Sequence, residues 1–248
     1  MHCFYCEANN VAGEQITITG SDVNHIKNVL RMKEGDNILV TSEGSSHLCA
    51  LKEFSGDCVV AEIVEENYQD TSLPIKLYLF QGLPKSDKME LVIQKAVELG
   101  AEAIVPVEMS RCVVKLDDKK KKSKVARWQA ISESAAKQSK RMSIPKVYDV
   151  MSYKQALDFS GELDILLVPY ECKDGMVSTK NALQKIKSGM SVGIIIGPEG
   201  GFDEKEIALA EEQGGLTISL GKRILRTETA SVTALSMCML YAEMELDK

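Results

Sequence analysis

No apolar run in the 248-residue sequence approaches the roughly 20 residues needed to cross a bilayer, which argues against a helical membrane protein. The opening MHCFYCEANN lacks the basic patch and apolar stretch of a secretory signal, and also the Arg/Ser-rich character of a transit peptide. A cytoplasmic location is therefore expected. Zinc-ligand spacing is missing as well: Cys3 and Cys6 form a C-x-x-C, but no second pair or nearby histidine pair completes a metal site, so none is expected. The seven cysteines are odd in number and scattered from Cys3 to Cys238, which fits reduced packing residues better than a disulfide framework. A net positive charge is also lacking. At −6 the sum seems to exclude a polyanionic partner, because phosphate contacts need Lys and Arg. Distribution reverses that reading: residues 111–146 hold twelve Lys/Arg against three Asp/Glu, making one basic face on an acidic body. The run KKKKSK (Lys119 to Lys124) alone reads equally as a solvated loop or helix start; a second cluster, KQSKR (Lys137 to Arg141), strengthens the case for a binding face.

Hydrophobic content of 44% and charged content of 27% are ordinary for a globular chain, and the length suits two modest domains. The first seventy residues read as a small β domain. Asp36 to Ser42, Ser46 to Phe54 and Asp57 to Glu66 are short β-branched stretches punctuated by Glu43-Gly44 and Ser55-Gly56. One helix precedes them, with Ser21 as its expected cap, a stripe of Val23, Ile26, Val29 and Leu30, and a turn at Lys33 to Asp36. Asn67 to Pro74 is polar, ends in proline and marks the expected boundary, giving domains 1–70 and 74–248. Beyond it strands and helices alternate. Strands are expected at Ile75 to Phe80, Ala103 to Val107, Asp164 to Val168, Val192 to Ile196 and Thr217 to Leu220. Helices are expected at Asp87 to Leu99, Lys124 to Lys140, Val177 to Lys187, Asp203 to Gln213 and Glu228 to Leu246. The pattern is that of an α/β domain with a mainly parallel sheet.

Ligands of such sheets bind beyond the carboxyl ends of the strands. Two loops stand there. The first is Gly197-Pro198-Glu199-Gly200-Gly201, whose glycines free backbone N–H groups for a ligand, although a tight strand-to-helix turn would look the same. It is neither G-x-G-x-x-G nor a P-loop, which disfavours dinucleotides and nucleoside triphosphates. The second runs Leu220-Gly221-Lys222-Arg223-Ile224-Leu225-Arg226-Thr227-Glu228-Thr229-Ala230 into a long apolar helix. Ile224 and Leu225 could cover an aromatic ring or simply anchor the loop. Arg226 and Glu228 suit either chemistry or a helix start, where a first-turn acid is favoured by the macrodipole.

Together the loops resemble the SPOUT class of RNA methyltransferases, and the whole chain resembles the ribosomal small subunit methyltransferase E family. The resemblance rests on HIKNVLRMKEGD (His25 to Asp36), PKSDKMELVIQKAVELG (Pro84 to Gly100), SRCVVK (Ser110 to Lys115), ESAAKQSKRMSIP (Glu133 to Pro145), IIGPEGGF (Ile195 to Phe202) and SLGKRILRTETA (Ser219 to Ala230). It implies a PUA-like barrel that grips RNA, an α/β domain whose last segment forms a trefoil knot, and a homodimer. It also implies that S-adenosylmethionine is held by Gly197, Pro198, Glu199, Gly200, Gly201, Leu220, Gly221, Ile224, Leu225, Thr229 and Ala230. The implied product is 3-methyluridine in 16S rRNA of the small ribosomal subunit; for that chemistry Arg226 could stabilise negative charge on the uracil carbonyl oxygens, and Glu228 could orient Arg226 or help pass on the proton. RNA placement would fall to Arg31, Lys85, Lys88, Arg111, Lys137 and Arg141. Three positions depart from the family pattern: Cys3 where relatives carry a basic residue, Ser86 for glycine and Lys88 for arginine. The final helix, apolar on nearly all sides, is the expected dimer contact, with a central core helix as the alternative.

Overall fold

The computed structural model describes residues 1–170 and 175–247. The chain divides into two compact units, Met1–Ser72 with Ala136–Ile144, and Leu73–Ala135 with Pro145–Lys248. The expected division assigned everything after residue 74 to one domain; in the structure residues 136–144 belong with the first unit.

The first unit holds β1 (Cys3–Tyr5), β2 (Val11–Ala12), β3 (Gln15–Thr19), α1 (Ser21–Asn24), β4 (Asn37–Ser42), β5 (Ser45–Phe54) and β6 (Cys58–Glu65). They form one sheet in the order β1-β4-β5-β6-β3-β2, antiparallel except for the β1–β4 pair. Phe4 from β1 and Ile16 and Ile18 from β3 join Ile38, Val40, Leu51 and Val59 in one buried cluster. Strands distant in the sheet thus share a core, which requires the sheet to curl around it. Glu43 and Gly44 both take positive φ (48° and 79°), giving the β4–β5 hairpin a turn whose twist matches the strands.

The expected cap at Ser21 is corrected. Gly20 (φ 71°) occupies the cap position, no side chain caps the helix, and Ser21 is its first residue. Gly20 can turn the chain out of β3 where a residue with a Cβ would be strained. After Asn24 the helix widens into a π-turn at His25–Val29.

Segment 136–144 is tied to the rest of this unit. Tyr5 Oη donates to the Arg141 carbonyl at 2.6 Å, Thr71 Oγ1 donates to the Lys140 carbonyl at 3.2 Å, and Lys137 pairs with Asp22 at 3.2 Å. The helix leading into it ends with Arg141 N–H bonded to the Ala136 carbonyl at 3.0 Å and Lys140 at φ 56°, a left-handed cap that favours glycine. Lys140→Gly is therefore expected to stabilise the protein by about 0.5 kcal/mol, since relief of left-handed strain outweighs the extra chain entropy. Urea denaturation would register the gain.

The second unit contains β7 (Lys76–Gly82), α2 (Lys88–Glu98), β8 (Ala101–Glu108), most of α3 (Asp118–Ser139), β9 (Lys146–Val147), β10 (Met151–Ser152), α4 (Tyr153–Ser160), β11 (Ile165–Pro169), α5 (Met176–Leu183), β12 (Ser191–Ile196), α6 (Glu204–Glu212), β13 (Leu216–Ile218) and α7 (Thr227–Glu245). The sheet is wholly parallel, ordered β10-β8-β7-β12-β11-β13 with β9 beside β8. Its centre, β7 and β12, is apolar and buried on both faces, as a covered parallel sheet requires. From β7 the chain moves outward to β8; from β12 it moves past β11 to β13 on the other side. The crevice where such paths diverge is the usual ligand position of an open α/β sheet.

Two elements differ from expectation. The long helix α3 starts at Asp118, not Lys124, because the Asp117 carboxylate accepts the Lys120 N–H at 2.8 Å and caps it, so the lysine run is helical. That hydrogen bond also holds the Asp117 carboxyl below its usual range. The unexpected helix α4 opens with a capping box between Ser152 and Gln155, a signal present in the sequence as S-x-x-Q.

No described helix is long and apolar enough to cross a membrane. The described cysteines are free, and burial pushes Cys6 to about 11 and Cys49 and Cys238 to about 12, so these three are inert thiols at neutral pH. Cys172 lies outside the described residues.

Candidate active site

Three loops of the second unit meet at the carboxyl ends of β7 and β12, joined by a fully buried polar network. Gln81, at the end of β7, donates from Nε2 to Thr227 Oγ1 at 2.9 Å and to the Gly82 carbonyl at 2.9 Å. Thr227 Oγ1 donates in turn to the Gly197 carbonyl at 2.7 Å. Ser231 Oγ donates to Gln81 Oε1 and lies 2.9 Å from the Thr227 carbonyl. Gln81 and Ser231 are both 0% exposed, so each bond forms away from water and leaves no cheap alternative partner. Through this network the first loop, the start of α7 and the end of β7 hold one another in place.

The first loop packs directly on β7. A Cβ at Gly82 would lie 2.7 Å from the Pro198 nitrogen and 2.9 Å from Met109 Sδ, so only glycine allows this approach. Gly82→Ala is expected to cost about 1–3 kcal/mol, because backbone must shift to admit the methyl. A lowered denaturation midpoint with an unchanged slope would be the sign of it. The loop closes with Gly201 N–H bonded to the Pro198 carbonyl at 2.9 Å, and Gly201 has φ 67°. On its far side Arg111 Nη1 donates to the Gly200 carbonyl at 3.2 Å. Glu206 fixes the entry to α6: Oε1 accepts Ser110 N–H and Oε2 accepts Asp203 N–H, both at 2.8 Å.

The second loop is pinned at its start by Thr179 of α5, whose Oγ1 accepts Ser219 N–H at 3.0 Å and donates to the Ser219 carbonyl at 2.7 Å. Gly221 follows at φ 103°. Arg226 is the residue before α7 and is exposed; among the described residues its guanidinium has no acidic partner. Glu228, in the first turn of α7, pairs instead with Lys88 at 3.3 Å. Lys88 also pairs with Glu199 at 3.1 Å, and Glu199 Oε1 accepts the Lys85 N–H at 3.0 Å. Partial burial raises the Glu199 carboxyl, but hydrogen bonds from its own backbone N–H, from Lys85 and from Lys88 outweigh this and hold it below its usual range.

The structure thus brings the two expected loops together, with Gly197 and Pro198 buried, and Gly201, Leu220, Gly221, Leu225 and Ala230 half-buried. Glu199, Gly200 and Thr229 are exposed. Ile224, expected to cover a ring or anchor the loop, is 97% exposed and anchors nothing within the chain. Of the six basic residues expected at RNA, Arg31 and Lys85 are exposed, whereas Lys88, Arg111 and Lys137 are engaged with carboxylates. Arg141 is buried, at 8% exposure. Arg31, Lys137 and Arg141 belong to the first unit. Sequence reading missed Gln81, Thr179, Glu206 and Ser231. Glu206 alone carries a local signal, D-x-x-E before an apolar stretch.

Two domain models match the chain. Residues 71–239 match the RNA methyltransferase domain and residues 18–63 the RNA methyltransferase PUA domain. The fold and loop cluster are therefore those of the PUA-linked RNA methyltransferases. The ribosomal RNA small subunit methyltransferase E of Bacillus subtilis is 45% identical over 232 residues, covering 92% of this chain and 91% of its own. A crystal structure of a protein described as hypothetical superposes with a TM-score of 0.90 at 42% identity, covering 97% and 98% of the two chains. The Neisseria gonorrhoeae methyltransferase E, crystallised bound to S-adenosyl methionine, superposes with a TM-score of 0.78 at 36% identity, covering 96% of each chain. The chain belongs to the ribosomal RNA small subunit methyltransferase E family.

Proposed function

We propose that this protein transfers a methyl group from S-adenosylmethionine to N3 of a uridine in 16S rRNA. The observation that carries the proposal is the pairing of two glycine-containing loops at the sheet's divergence point with an exposed Arg226 beside them that has no acidic partner among the described residues. The residues present fit the cofactor. Gly201 and Gly221 take left-handed φ, open space lies beside Gly201, and the half-buried Leu220 and Leu225 offer apolar surface to an adenine. S-adenosylmethionine supplies an electrophilic methyl.

This chain's own groups supply position and charge. Methylation at uridine N3 requires loss of the imide proton, which leaves negative charge on the uracil carbonyl oxygens. The Arg226 guanidinium is the group proposed to stabilise that charge by charge-assisted hydrogen bonds. Glu228, expected beside it, is paired with Lys88 instead, and alignment of nucleophile and methyl by the two loops would supply much of the rate. Arg31 and Lys85, exposed and basic, are proposed RNA contacts. The knotted path of the last segment and a cytoplasmic site of action, where ribosomal RNA is available, complete the reading.

A homodimer is part of the proposal. One face of α7 is buried through Thr227, Ser231, Ala234, Leu235, Cys238 and Ala242, but Leu240 and Met244 on the same helix stand exposed. A second copy would cover them, and sedimentation of a stable monomer at micromolar concentration would contradict it. Isothermal calorimetry with S-adenosylmethionine and the free protein tests the enzymatic reading. Saturable one-to-one binding per chain is expected; no binding would point to an RNA-binding assembly factor without turnover.

A further inference from the structure

The ammonium of Lys88 joins three stretches of chain. It opens α2, and it lies 3.1 Å from Glu199 of the first loop and 3.3 Å from Glu228 in the first turn of α7. Helix preference does not account for it, because a cation at the positive end of the α2 macrodipole is unfavourable. Glu199 is bound from the same direction a second time, through the Lys85 N–H. The Glu228 side chain is only 16% exposed, so this link is screened less than a surface ion pair.

What Glu228 does not contact is equally informative. Arg226 lies two residues earlier at the same helix end, yet it has no acidic partner among the described residues, while Glu228 faces Lys88. A carboxylate bound to Arg226 would neutralise the guanidinium that must meet charge developing on a substrate. Hydrogen bonding to Glu199 holds Lys88 above its usual pKa, so the ammonium stays charged throughout the neutral range.

We infer that Lys88 is a positioning residue, which fastens the two loops to each other and occupies Glu228 so that Arg226 keeps its charge for the RNA base. The inference rests on the function proposed above, and it differs from an RNA-phosphate role for Lys88 in what it predicts. Lys88→Met should weaken S-adenosylmethionine binding, measured without RNA, about tenfold and lower kcat by a similar factor, with the KM for small subunits nearly unchanged. Lys88→Arg, which keeps both ion pairs, should retain near-normal values. Adding Glu228→Gln to Lys88→Met should recover part of the lost kcat, because the freed carboxylate no longer competes for Arg226. A purely structural lysine would give no such recovery.

A raised KM for RNA with a shallower salt dependence, alongside unchanged kcat and cofactor affinity, would overturn the inference and make Lys88 a phosphate contact. Additive losses in the double variant would overturn it too. Failure of the unmodified chain to bind the cofactor would instead overturn the proposed function itself.

Discussion

Arg226→Ala is expected to reduce methyl transfer by about 10²- to 10³-fold, the usual cost of losing one preorganised donor to a developing oxyanion. S-adenosylmethionine affinity should stay within about twofold of normal, since the proposed cofactor contacts come mainly from backbone and not from this side chain. The separation is the point of the experiment. Arg226 precedes α7 with backbone in the extended region and without a side-chain cap bond, so its removal takes no hydrogen bond from the helix end. Its guanidinium is exposed and has no acidic partner among the described residues, so no described carboxylate is stranded by its loss. Equal loss of turnover and cofactor binding would make Arg226 a structural residue. Arg226→Lys should recover little, because a single ammonium does not reproduce the two-pronged geometry of a guanidinium.

The second large effect is expected at a residue distant from any exposed surface. Gln81→Met keeps the length of the side chain but deletes both its donor and its acceptor. Thr227 loses the Gln81 donor and Ser231 loses the Gln81 acceptor, while Thr227 keeps its bond to the Gly197 carbonyl of the first loop. Removing partners of buried polar groups costs about 1–3 kcal/mol for each group left unsatisfied, so a total near 3 kcal/mol is expected. Chemical denaturation would measure it. Because the network joins Gly197 to Thr227, the two loops should also lose their common register, and cofactor affinity should fall at least tenfold under conditions where the variant is fully folded. Destabilisation with normal affinity would reduce the network to ordinary core packing.

These two residues show how far sequence reading reaches. Arg226 could be singled out because it lies in a contiguous motif, LGKRILRTETA, between a strand and a helix. The parallel sheet was legible from strand–helix alternation, since fully buried strands such as Val192 to Ile196 read as unbroken apolar runs. Gln81 was invisible for the opposite reason. It ends an apolar strand as a lone polar residue, and its partners lie 146 and 150 residues away, a pairing that no local spacing encodes. The same holds for Thr179, which clamps Ser219 across 40 residues. Charge was misleading in a different way. Composition marks residues 111–146 as basic, but only the fold reveals that Lys137 is matched to Asp22 and that Arg141 is buried. The helical start at Asp118 was missed because a lysine run reads as solvated chain unless the Asp117 cap is recognised. Ile224 fared likewise: an apolar residue in a loop suggested burial, and within a single chain it has none.

The proposed methyl transfer is tested most directly by incubating the protein and methyl-labelled S-adenosylmethionine with small ribosomal subunits from cells that lack it, then mapping the labelled nucleotide. One labelled base is expected, a uridine of 16S rRNA carrying the methyl on N3, with the rate of labelling at least about a hundredfold lower for Arg226→Ala. Label confined to another base, or to transfer RNA, would contradict it.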